Sequence, residues 1–296
     1  MQSIEEKRVY GDRHGAVTAY VASAMGVVRV RVAGDTVGEF GLCDRCGARD
    51  IAANQNVVAV ATDDDVRVLA LEERDGPDHD GDAPVATGDE PFVDTGFGPA
   101  VAVGFDGDEL LAAGPDGRVA RRAAGTGAEA EWTTLAADRE TAVRAIDGDL
   151  VGTADGVYRV GDDGLTHAGL SEVRDVSAAG VPLAATADGL YKLGNGWMSV
   201  LEGAFETVAA DPRSERGELV RAHAVAADGV FEFVADEWHA IDGSSERIVA
   251  VGYGQTAYAV TDAGTFLAWS DGEWRERSLG IRDVAGLAVT PQAGSR

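Results

Sequence analysis

Lysine is almost missing from this chain. Its 296 residues include two, Lys7 and Lys192, beside 23 arginines, and 51 acidic residues leave a formal net charge of −26. Such an excess of negative charge opposes phosphate backbones and anionic membrane surfaces, which attract clustered Lys and Arg. The longest basic string, Arg118-Val-Ala-Arg121-Arg122, is far too short for a nucleic-acid arm. No apolar run approaches the roughly 18 residues that a membrane-spanning helix needs. The first ten residues, Met1 to Tyr10, are polar and acidic and lack the apolar stretch of a secretory signal. A cytoplasmic protein that binds neither nucleic acid nor membrane is expected. Only two cysteines occur, Cys43 and Cys46, so no disulfide framework exists to staple a small core.

What is present is ordinary apolar content (45%), 39 glycines, and aspartate in excess of glutamate, 31 to 20. The composition suits a globular fold rather than disorder. Aspartate-rich, lysine-poor chains suit concentrated salt. At about 1 M the screening length falls to about 3 Å, which mutes self-repulsion.

Seven copies of one pattern run along the chain. The clearest are Thr153-Ala-Asp-Gly-Val-Tyr-Arg-Val160, Thr186-Ala-Asp-Gly-Leu-Tyr-Lys-Leu193 and Ala226-Ala-Asp-Gly-Val-Phe-Glu-Phe233. Weaker copies centre on Gly26, Asp65, Gly117 and Gly264, and successive anchors lie 39, 52, 39, 33, 40 and 35 residues apart. In each copy a short apolar run precedes the turn and an alternating run comes after it. A second turn with a Trp often comes next, as in Gly194-Asn-Gly-Trp197 and Asp271-Gly-Glu-Trp274. An Asp-Gly turn between two such runs is a hairpin signal, because glycine tolerates positive φ. A further β-prone stretch, such as Val173-Arg-Asp-Val-Ser177, precedes each hairpin.

Four strands per repeat of about 40 residues is the signature of a propeller blade. The period-two alternation and abundant glycine exclude a helical repeat. A β-sandwich would not repeat one turn seven times. The expectation is an all-β, seven-bladed β-propeller spanning residues 1–296 as a single domain, with six or eight blades as the alternative. Sheet edges must be closed, and Ile281–Thr290 copies the opening strand of a blade with no hairpin after it. It is therefore expected to return and complete the first blade, between Val17 and Phe40.

The Ala-Asp-Gly-Val-Tyr hairpins resemble repeats of bacterial sensor propellers and, more distantly, Asp boxes, from which they differ in lacking a spacer before Gly. Ser3-Ile-Glu-Glu-Lys-Arg-Val-Tyr-Gly-Asp12, Ala19-Tyr-Val-Ala-Ser23 and Gly26-Val-Val28 resemble a haloarchaeal family of β-propeller proteins. That resemblance covers essentially the whole chain. It implies the fold and a salty cytoplasm, and it brings no activity with it.

Candidate sites are few. Cys43-Asp-Arg-Cys46 offers two of four zinc ligands. The next residues, Gly47 to Ala52, read as a strand rather than the helix of a redox centre, so a structural pair is the simpler reading. The insertion at 72–90 is an acidic loop. Its Asp78, Asp80 and Asp82 mimic half of a calcium loop, but Ala83 stands where such a loop needs glycine. The five histidines are scattered, and no Ser-His-Asp or phosphate-loop motif appears, so no catalytic residue and no cofactor are expected. The most site-like feature is a recurrence at the start of five presumed innermost strands: Arg49-Asp50, Arg144, Arg174-Asp175, Arg247 and Arg282-Asp283. Ringing a channel mouth, these would take an anionic or zwitterionic ligand. Alternatively, Asp of one blade pairs with Arg of the next and locks the ring. The sequence thus suggests a non-enzymatic interaction or scaffold propeller with a protein partner, the alternative being a small-ligand binder or enzyme using that Arg/Asp ring.

Overall fold

The computed structural model describes residues 16–71, 91–124, 130–136 and 141–290. Among them, 28 strands form seven four-stranded antiparallel sheets, and no helix occurs. The first blade holds β1 (Ala16–Ser23), β2 (Gly26–Ala33) and β3 (Thr36–Asp44). Blade 2 is β4 (Ala48–Ala53), β5 (Val57–Thr62), β6 (Val66–Ala70) and β7 (Val93–Asp94). Blade 3 is β8 (Ala102–Asp106), β9 (Glu109–Ala113), β10 (Val119–Ala123) and β11 (Thr133–Ala136). Blade 4 is β12 (Val143–Asp147), β13 (Leu150–Thr153), β14 (Gly156–Gly161) and β15 (Gly164–Gly169). Blade 5 is β16 (Val173–Ser177), β17 (Leu183–Thr186), β18 (Gly189–Leu193) and β19 (Trp197–Glu202). Blade 6 is β20 (Phe205–Ala210), β21 (Ala222–Ala226), β22 (Gly229–Val234) and β23 (Glu237–Ile241). Blade 7 is β24 (Ile248–Tyr253), β25 (Ala257–Thr261), β26 (Thr265–Ser270) and β27 (Glu273–Ser278). The last strand, β28 (Val284–Val289), returns to blade 1, whose order is β28-β1-β2-β3.

This is a seven-bladed β-propeller, and the tail closes it as the sequence suggests. Ala19 pairs with Val289, Val21 with Leu287 and Ser23 with Val284, and Thr290 adds backbone and hydroxyl bonds to the Thr18 carbonyl at 2.9 Å. The insertion at 72–90, with Asp78, Asp80 and Asp82, lies outside the described residues.

Burial peaks at the second strand of a blade and falls toward its outer edge. The second strands β5, β13 and β25 are buried at every residue, because a neighbouring blade covers each face. The outermost β27 is exposed at most positions. The described residues form seven apolar clusters, one at each blade junction, such as Val103, Leu110 and Ala59 between blades 2 and 3. Blades converge toward the axis, so small residues are required there. A Cβ on Gly104 would sit 2.5 Å from the Ile146 carbonyl oxygen of the next blade.

All seven repeat anchors fall at the turn between the second and third strands of a blade. The local mechanism differs in one respect from the expectation. Where the turn is tightest, Ala154-Asp155 forms the loop and Gly156 is already the first residue of β14, paired with Thr153. Gly26, Gly117, Gly156 and Gly264 have positive φ, but Gly189 and Gly229 do not. What recurs more faithfully is a buried hydroxyl at the end of the second strand. Thr153 Oγ1 donates to the Gly156 carbonyl at 2.9 Å and accepts from the Asp155 and Gly156 amides. Thr186 does the same for Gly189, Thr62 for Asp65, and Ser23 donates to Gly26.

Candidate functional site: the central channel

The seven innermost strands β28, β4, β8, β12, β16, β20 and β24 enclose a channel cavity of about 600 Å³. Six of them carry a β-bulge near their first residue. The bulged residues are Arg49, Arg144, Arg174, Glu206, Val249 and Ala285. A bulge interrupts the in-out alternation and re-aims the side chain it carries. Here it turns charged groups of blades 4, 5 and 6 toward one channel mouth, where Arg144, Arg174 and Glu206 line the cavity.

The structure brings together part of the suggested Arg/Asp set. Asp50, Arg144, Arg174 and Asp175 line the channel, whereas Arg49, Arg247, Arg282 and Asp283 lie outside its lining. Arg49 pairs with Asp63 and Arg247 with Asp262, each in the turn of its own blade. Arg282 and Asp283 precede β28 and are exposed. Arg174 of blade 5 pairs with Glu206 of blade 6. Arg144 of blade 4 donates to the Val173 carbonyl of blade 5 at 3.1 Å and stands 3.7 Å from Glu172. Both channel-lining arginines thus pair across a blade junction, but their acid is glutamate, and the channel aspartates do something else.

Asp50 accepts from its neighbour Ile51 at 2.8 Å and from the Val103 amide of the next blade at 2.9 Å. Asp175 repeats this with Val176 and with Val208 of blade 6, both at 2.9 Å, and also accepts from the Thr207 hydroxyl at 2.5 Å. Two residues further along the strands, Asp147 accepts from Ala178 at 2.7 Å and Ser177 from Ala210 at 3.0 Å, again across a junction. Each innermost strand has one edge facing the channel with no strand beside it. These side chains satisfy its amides and stitch blades 2 to 3, 4 to 5 and 5 to 6. Burial against the backbone disfavours the charged carboxylate and outweighs the amide bonds. It pushes Asp50 up to about 7 and Asp175 up to about 6, and it raises Asp147.

The cysteines lie at the corner from blade 1 into blade 2. Cys43 Sγ donates to the Val27 carbonyl at 3.3 Å, and burial pushes Cys43 up to about 11 and Cys46 up to about 12. Neutral thiols at such values are poor nucleophiles. Among the described residues, no group of three His, Cys, Asp or Glu side chains is placed to hold a metal. One buried histidine has no motif to mark it in the sequence. His223 Nδ1 lies 2.6 Å from the Tyr253 hydroxyl, inside a ring cluster with Trp269 and Trp274, and burial lowers it to about 3.

Fold and channel define the chain as a β-propeller whose inner strands are joined through their own side chains. It belongs to the HVO_0234-like beta-propeller family, whose model matches residues 3–290. No curated protein matches it in sequence. Among solved structures it is similar to the WD40 β-propeller domain of Doa1, at 15% identity, with TM-score 0.60 and 81% and 86% of the two chains covered. It is also similar to the WD40 domain of Neurospora crassa Pan2, at 12% identity, with TM-score 0.56 and 82% of each chain covered. The computationally designed Ika8 protein gives 14% identity, TM-score 0.57, and 92% and 90% coverage. Similarity at these identities speaks for the fold. Among the described residues no helix is long and apolar enough to cross a membrane.

Proposed function

We propose that the chain is a non-enzymatic interaction or scaffold propeller, presenting its surface to another protein in a salt-rich cytoplasm. One observation carries the reading: the channel's charged groups are already engaged within the ring. Asp50, Asp147 and Asp175 accept amides of the next blade, and Arg174 is paired with Glu206. A ligand competing for them would break the stitches. The WD40-like likeness and the lysine-poor, acidic composition agree with this reading without naming a partner. The test is affinity capture of the full chain in molar KCl. A partner recovered in stoichiometric amount is expected; repeated recovery of the chain alone argues against the proposal.

The second reading is a small-ligand binder or enzyme using the arginines of the channel mouth. It is favoured by Arg144, whose nearest carboxylate, Glu172, is as far as 3.7 Å away. A melting-temperature screen with sugars, nucleotides and organic acids separates the two. A shift of several degrees that Arg144→Ala abolishes supports the ligand reading, and no shift with any compound supports the scaffold.

A further inference from the structure

At the junction of blades 5 and 6 the sheets splay apart and leave a groove of about 750 Å³. One wall is a cross-strand row on blade 5, Leu183–Lys192–Met198. The other wall is the Phe233–Trp238 pair of blade 6, with ring centroids 5.4 Å apart. Leu219 and Val220, from the loop between β20 and β21, close one end. Met198 and Val220 are 47% and 58% exposed, large values for apolar side chains. Apolar surface gathered in a concave site marks a contact region.

The charge in this groove is the informative part. Lys192 is the only lysine among the described residues, and its ammonium has no hydrogen-bond or ion-pair partner among them. The equivalent residue of blade 4 is Arg159, three residues after the turn glycine in both copies, and it is paired with Asp149. In blade 6 the equivalent Glu232 is held by Arg221 at 2.6 Å. Asp149 and Pro182 are matched positions, since their carbonyls accept from Val160 at 2.8 Å and Leu193 at 2.9 Å. Proline in the aspartate's place therefore removes the carboxylate that would neutralise Lys192. A lone ammonium between apolar walls, on a protein carrying 51 acids, fits an incoming carboxylate flanked by apolar groups. Glu218 and Asp236 also line the groove, so the occupant meets acids as well and would carry its negative charge centrally.

We propose that this groove binds an extended peptide segment of a partner protein, in which an Asp or Glu is flanked by large apolar side chains and its carboxylate pairs with Lys192. The assignment rests on the scaffold reading above and supplies the chemistry of its partner. The probe is a phage-displayed decapeptide library selected on the immobilised full chain, followed by synthetic peptides of the enriched motif in which Asp is replaced by Asn. Enrichment of apolar-acid-apolar sequences is expected, with Asp binding about tenfold tighter than Asn, a difference near 1.4 kcal/mol. Lys192→Ala should reduce that ratio to about one and Lys192→Glu should invert it. Val220→Glu should weaken Asp and Asn peptides alike. Melting curves of the variants, all at exposed positions, confirm that they remain folded. The proposal is overturned if no acidic motif is enriched or if the Asp preference survives Lys192→Glu. Displacement of the peptides by decanoate at equal affinity would assign the groove to small carboxylates instead. A dimer dissolved by Val220→Glu would assign it to a second copy. Stoichiometric capture of a native partner that is indifferent to Lys192→Glu refutes the groove and leaves the scaffold reading standing, whereas peptide selectivity without any native partner does the reverse.

Discussion

Buried hydroxyls carry the repeat at the scale of single residues. Ser23, Thr62, Thr153, Thr186 and Thr261 are all at most 1% exposed, and each bonds the turn beyond it. Replacing Thr153 by Val keeps the volume but strands two amides and a carbonyl, so unfolding should become easier by about 1–3 kcal/mol. Chemical denaturation of Thr153→Val measures this, and an unchanged midpoint would remove the hydroxyl from the account. Threonine stands in plain view in the sequence, but Asp-Gly is the stronger hairpin signal, so the glycine marks the turn and the hydroxyl that holds it does not. The aspartates of the channel make a second prediction, about pH. Asp50 and Asp175 hold protons in the folded state up to about pH 7 and 6, above the ordinary carboxylate range. The folded chain then binds more protons than the unfolded one as pH falls from 7 toward 4, so these groups favour folding at the acid end and lose that contribution as pH rises. His223 has the opposite sign. Lowered to about 3, it costs stability below about pH 6.5, where the unfolded chain takes up the proton. The two effects oppose each other between about pH 4 and 6.5. Asp50→Asn should leave the histidine less opposed, and stability should then fall more steeply on acidification. Parallel pH profiles of the wild type and the variant would refute this.

Strand and turn placement was largely legible because each hairpin joins a short apolar run to an alternating one, and Val143–Ile146 and Val173–Ser177 emerge as innermost strands. The bulges were not legible. A bulge adds one residue without a composition of its own, so the recurrence of arginine was visible while its aim was not. The structure separates Arg49, Arg144 and Arg174, which sit at bulges, from Arg247 and Arg282, which lie ahead of their strands. The groove was hidden for another reason. It depends on the loop at 211–221, which packs on the blade-5 turn through Gly180. That glycine has φ +64°, and a Cβ there would collide with the Glu218 carbonyl oxygen and lie 2.6 Å from Ser214 Cβ. Only the contrast of Asp149 with Pro182 carried a signal in the sequence. Gly180→Val should dislodge this loop. Limited trypsin digestion should then cut faster at the loop's Arg213, Arg216 and Arg221, with cutting outside the loop unchanged.

For the molecule as a whole, a net charge of −26 on a closed ring should make folding depend strongly on salt. Raising KCl from about 0.1 M to about 1 M shortens the screening length from about 10 Å to about 3 Å. The melting temperature should climb over this range, and sodium should act much as potassium does if screening alone is responsible. A flat response would show that the acids are arranged to avoid one another. The ring imposes a further condition in time. Thr18 and Thr290 bond to each other although they are 272 residues apart. During synthesis β1 therefore leaves the ribosome with its inner neighbour still unmade. It must wait, hydrogen-bonding edge bare, while six other sheets assemble. Nascent chains stalled ahead of Val284 should accordingly bind chaperones at the first blade, and their release should coincide with the arrival of that strand.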